Sequence, residues 1–120
     1  MTYDGPININ QNSVLKSRLI ETDKIPGRVT TNTYFISESN NLSTVSLITD
    51  PDLLWNSNIG IYENEYKQRE IPVTIQYFDN IGNNMFNINA GARLGGLNIW
   101  TKPQKPFTIY SRDRFGDDYI

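Results

Sequence analysis

Three consecutive pieces decide the fold: Ile71-Pro-Val-Thr-Ile-Gln-Tyr-Phe78, then Asp79-Asn-Ile-Gly-Asn-Asn84, then Phe86-Asn-Ile-Asn-Ala-Gly-Ala-Arg93. Successive side chains of a strand point to opposite faces, so Ile71, Val73, Ile75 and Tyr77 share one face and Thr74 and Gln76 the other. This pattern predicts one buried and one solvated face. Pro72 lacks the N–H that a ladder uses and belongs near a strand start or edge, which is where it stands. Several residues of Asp79–Asn84 tolerate positive φ, so the piece predicts a hairpin joining Ile71–Phe78 to Phe86–Arg93.

The same grammar extends outward. Val14–Ile20, Arg28–Ser37, Thr44–Thr49 and Phe107–Arg112 are short, rich in β-branched or aromatic residues, and bounded by Gly, Pro, Asn or Asp. In the last of these Phe107, Ile109 and Ser111 alternate with Thr108, Tyr110 and Arg112, and the apolar face is not cleanly defined. Asp50-Pro51-Asp52 predicts one helical turn, with Pro51 at its first position and Leu53, Leu54 and Trp55 directed inward. No segment predicts a helix of full length. The fold class expected is all-β: an antiparallel sandwich or twisted sheet with short helical turns.

Composition narrows the chemistry. The 120 residues suit a single core, and 38% hydrophobic with 20% charged residues favours folding over disorder. A net charge of −2, from 11 basic and 13 acidic residues, gives no electrostatic reason to expect nucleic acid or an anionic membrane as partner. Cysteine and histidine are both absent, which removes disulfides, thiolate nucleophiles, Ser-His-Asp catalysis and His-ligated zinc together. No apolar run approaches the roughly 20 residues that span a bilayer. The opening MTYDGPININ has neither the basic region nor the apolar core of a signal peptide. Met1 stands directly before what reads as the middle of a repeat, as expected of a piece of a longer protein.

Ala90-Gly-Ala-Arg-Leu-Gly-Gly-Leu-Asn-Ile-Trp-Thr-Lys-Pro-Gln-Lys-Pro-Phe-Thr-Ile-Tyr110 holds the candidate ligand residues. A glycine pair lets backbone approach a phosphate closely, and a following lysine supplies a point charge. Gly95 and Gly96 also suit a plain turn or bulge, which is the commoner use of such a pair. Asp50 with Asp52, or Asp113 with Asp117 and Asp118, offer oxygen ligands but not the spacing of a calcium loop, so they read as turn residues and no metal is assigned. Trp55 within Asp-Leu-Leu-Trp is read as a core anchor. Trp100, in a loop rich in Asn, Thr and Pro, is read either as core or as a flat platform for a sugar ring. The sign-alternating run Tyr62–Glu70 is read as a solvated surface segment.

From Ser43 to Gly116 the ordered motifs Ser-Leu-Ile-Thr-Asp-Pro, Gly-Ile-Tyr, Ala-Gly-Ala-Arg and Pro-Gln-Lys resemble the amino-terminal part of the spore-coat-protein-H (CotH) kinase-like family. Residues 1–40 are similar to the closing strands of a chitobiase carboxy-terminal type of β-repeat, and either form a partial repeat or add strands to the sheet of residues 41–120. By that resemblance Arg93, Gly95, Gly96, Lys102 and Lys105 face a nucleotide or organise a small lobe, with Lys105 the residue singled out. The chain departs from the family's usual form at Leu94 and Pro106. The resemblance further implies a bacterial surface or secreted location and a downstream catalytic domain of the same protein as partner. ATP and magnesium would then be used by the whole parent, and no catalytic residue is expected in this chain. The alternative is a β-sandwich module that binds polysaccharide or a surface protein.

Overall fold

A computed structural model of the chain describes residues 2–38, 41–96, 101 and 103–115. The chain divides into two compact units, Met1–Asn41 and Leu42–Ile120. Among the described residues the architecture is all-β, with antiparallel sheets and only short helical turns. No helix among them is long and apolar enough to cross a membrane.

The first unit holds one antiparallel pair, β1 (Ser13–Ser17) and β2 (Thr30–Tyr34). Both are shorter than the β-propensity runs that contain them, because the pairing stops where Ser17 meets Thr30. Arg18–Ile20 and Arg28–Val29 lie outside the ladder. Asn12 braces the hairpin: its Oδ1 accepts from the Ile36 N–H at 2.8 Å and its Nδ2 donates to Glu38 at 2.7 Å. Of the two strands only Thr31 is buried.

The second unit is a four-stranded antiparallel sheet whose spatial order follows the chain: β3 (Thr44–Ile48), β4 (Ile71–Phe78), β5 (Asn84–Leu94) and β6 (Phe107–Tyr110). Asp79 makes the turn between β4 and β5. Its carboxylate accepts from the Ile81 and Asn83 N–H groups and from the Asn83 side-chain amide, and Gly82 adopts φ 87°. Burial raises the Asp79 carboxyl, and the bonds from Asn83 and from the Ile81 and Gly82 backbone outweigh that and hold it below its ordinary value. Pro72 sits near the start of β4, opposite Gly91. Its carbonyl accepts from the Thr49 hydroxyl at 2.7 Å, so its nitrogen faces the same side, where β3 has already ended opposite Thr74. The missing N–H costs no ladder bond there.

One sheet face carries the core. Ile71, Val73 and Ile75 of β4 pack with Ala90, Ala92 and Leu94 of β5 and with Ile61, and Phe107 and Ile109 of β6 join them. The period-2 alternation therefore assigns Ile71, Val73 and Ile75 to that face as expected, and it also resolves β6. Tyr77, expected on the same face, is half-buried outside the core and stacks on Phe86, because the register shifts between Tyr77 and the buried Phe78. Covering it is α1 (Pro51–Trp55), a single turn capped by Asp50, whose side chain accepts from the Asp52 N–H. Five residues cannot hold a helix alone, and this one is pinned by the turn at Gly60-Ile61-Tyr62 that folds back over it. The Ile61 and Tyr62 N–H groups donate to the Leu53 and Leu54 carbonyls at 2.9 and 3.0 Å. A Cβ on Gly60 would lie 2.6–2.7 Å from backbone atoms of Asn56 and Leu54, so only glycine permits this approach.

Three further expectations need correction. Trp55 is 56% exposed, not a core anchor. It is the last residue of α1, and only Leu53 and Leu54 reach the core. Gln76, assigned to the solvated face, is fully buried. Alternation sorts side chains between faces but does not say how much of each face is covered. Finally, Tyr62–Glu70 is not simply solvated: Asn64 is buried and donates to the Ser57 and Gly60 carbonyls, and Glu65 and Glu70 are largely enclosed by cationic partners.

Candidate functional site

Hairpin register decides which candidate residues meet. Leu94 pairs with Phe107 at the end of the β5–β6 ladder, and one step on the Gly95 N–H donates to the Pro106 carbonyl at 2.9 Å. Gly95, Gly96 and Lys105 therefore stand at the two mouths of one connection. Gly96 has φ 98°, a conformation that favours glycine, and a Cβ on Gly95 would run into the Thr108 hydroxyl. Both glycines have local structural reasons to be there. Trp100 and Lys102 lie outside the described residues, as do Asp117 and Asp118.

Lys105 is held on the core side of the sheet. Its ammonium lies 2.6 Å from Glu65 Oε2, with side-chain exposures of only 10% and 18%. Glu65 opens a 3-10 turn, Glu65–Lys67, that follows the Gly-Ile-Tyr return. The Tyr62 ring lies 6.0 Å from the Lys105 ammonium and connects onward to Phe107 at 6.1 Å and to Trp55 at 4.4 Å between centroids. An exposed indole, a phenol and an enclosed lysine-glutamate pair thus form one neighbourhood.

Arg93 does not belong to it. Ala92 and Leu94 turn into the core, so Arg93, between them, projects from the far face together with Thr108 and Tyr110. There its Nη2 donates to the Tyr110 hydroxyl at 2.5 Å, and its guanidinium lies 5.2 Å from that ring. The Arg112 guanidinium lies 4.9 Å from the same ring. Arg112 and Arg114 share Glu70, at 3.3 and 2.6 Å, directly over Gly91. A Cβ on Gly91 would strike Glu70 and come within 2.5 Å of Phe115 Cε2. The arginine, glycine pair and lysine grouped from sequence therefore separate onto two faces.

Glu70 feels two opposed influences. Burial raises its carboxyl, while hydrogen bonds and charge from Arg114 and Arg112 outweigh this and hold it below the ordinary glutamate value. The double arginine clamp escaped sequence reading because its members are 42 and 44 residues apart in the chain. Gly91, an interior strand glycine, was the one available sign of a close approach. No cluster of three or more His, Cys, Asp or Glu side chains able to hold a metal occurs among the described residues.

The fold and this neighbourhood define a small antiparallel β unit with a cationic and aromatic surface. Compared with protein families, curated proteins and solved structures, the chain matches none.

Proposed function

We propose that this chain is the non-catalytic β region of a CotH-like kinase-family protein, bacterial and secreted or surface-bound, which packs on or completes a nucleotide cleft. The catalytic residues, with ATP and magnesium, would belong to another segment of the same protein. The observation supporting this is the enclosed Lys105–Glu65 pair beside the Gly95–Gly96 turn. Kinase-type phosphate sites combine a glycine-bearing turn with a lysine held in place by a glutamate, so that the ammonium is positioned before nucleotide arrives.

Calorimetric titration of the chain with magnesium-ATP tests this. Saturable binding that is lost in Lys105→Ala is the expected result. Because that substitution strands Glu65 in a largely enclosed place, Lys105→Ala combined with Glu65→Gln is titrated alongside. An absence of nucleotide binding would sink the proposal.

A second reading draws on Trp55. A half-exposed indole against Tyr62 offers the flat apolar surface on which a pyranose ring stacks, as a polysaccharide-binding module requires. Binding to a panel of soluble glycans, with no response to ATP and loss in Trp55→Ala, would favour it.

A further inference from the structure

Among the described residues, positive charge gathers on the far face of the sheet although the chain as a whole is acidic. Arg93, Arg112 and Arg114 meet there around Tyr110 and Phe115, and Glu70 is the carboxylate that Arg112 and Arg114 contact. Glu70 serves Arg112 and Arg114. No carboxylate among the described residues lies within ion-pair distance of Arg93, whose polar contact is the Tyr110 hydroxyl. Arg112 and Arg114 are about half exposed, at 48% and 60%, so water screens them and both can turn toward an incoming anion. Arg93 is moreover half-buried, which raises the cost of leaving it without a counter-ion.

The geometry points to an oxyanion site at Tyr110, in which Arg93 and Arg112, whose guanidinium groups lie 5.2 and 4.9 Å from its ring, clasp a tetrahedral oxyanion such as phosphate or sulfate. Planar guanidinium groups recognise such ions through paired N–H donors, and the Tyr110 hydroxyl, which accepts from Arg93, keeps its own hydrogen as a further donor. Glu70 serves as a gauge of charge: it neutralises one guanidinium's worth and holds Arg112 through its Nε and Nη2, so an incoming anion meets a preset side chain. The site is on the opposite face from Lys105, so it neither uses nor requires the nucleotide reading above.

The test is thermal unfolding and calorimetric titration of the whole chain with sodium phosphate, sodium sulfate and sodium acetate, each against sodium chloride at matched ionic strength. Phosphate and sulfate should raise the melting temperature saturably beyond chloride, and acetate should do so less. Arg93→Gln, which removes the charge and keeps a polar side chain, should weaken phosphate binding at least about tenfold. The double variant Arg93→Lys with Arg112→Lys keeps every charge and the pairing with Glu70, yet should weaken it comparably, because ammonium groups lack the planar fork. Phosphate binding retained in the lysine variant would mean simple charge screening and overturn the proposal. So would a response equal for acetate and phosphate, or one lost in Lys105→Ala and retained in Arg93→Gln.

Discussion

Gly60 and Gly91 show how single residues carry this fold. At Gly60 the obstacle to any side chain is backbone, so nothing nearby can rotate away. Gly60→Ala should destabilise the second unit by about 3 kcal/mol, read from urea unfolding followed by tryptophan fluorescence. At Gly91 the obstacles are the ends of the Glu70 and Phe115 side chains, which can yield. Gly91→Ala should therefore cost less, about 1 to 2 kcal/mol, and much of that loss should vanish when Glu70→Ala is added. Glu70 itself gives stability a pH dependence. Its folded pKa lies below its unfolded value, so its contribution is full above the ordinary glutamate range and fades as pH falls through the lowered folded value. Wild type should thus exceed Glu70→Gln in stability at neutral pH, with the gap closing on acidification in a melting series. A gap that persisted or widened in acid would contradict the clamp.

Among elements, the hairpin of β4 and β5 was legible because two independent signals agreed: alternation in Ile71–Phe78 and the positive-φ residues of Asp79–Asn84. Even the strand ends were close, since turn chemistry marks them. What stayed hidden was long-range. Nothing local in Glu70 foretells arginines forty residues later, and nothing in Asp-Leu-Leu-Trp says that the turn ends with its indole facing water. The group Arg93, Gly95, Gly96 and Lys105 was assembled by proximity in sequence, whereas pleating sends Arg93 to one side of the sheet while Lys105 meets Tyr62 and Glu65 on the other. The helical turn depends on its cap as much as on its apolar contacts: Asp50→Ala removes the acceptor for the Asp52 N–H and should cost about 1 kcal/mol by the same unfolding assay.

Across the whole molecule, stability is unevenly shared. The second unit owns the core of Ile61, Ile71, Val73, Ile75, Ala90, Ala92 and Leu94, whereas the two strands of the first bury Thr31 alone. A two-stranded ribbon without an apolar face is marginal in water. Amide hydrogen exchange should accordingly be fast in Ser13–Ser17 and Thr30–Tyr34 and slow in the centre of β4 and β5. Ile71→Ala should cost about 3 kcal/mol and speed exchange throughout β4 and β5. The order of the four-stranded sheet carries one more consequence. Each strand pairs with the one made just before it, so as the chain emerges from a ribosome every new strand finds its partner already outside. Once β4 has emerged, each later strand of this sheet adds to an edge already in place, and assembly of the sheet can keep pace with synthesis.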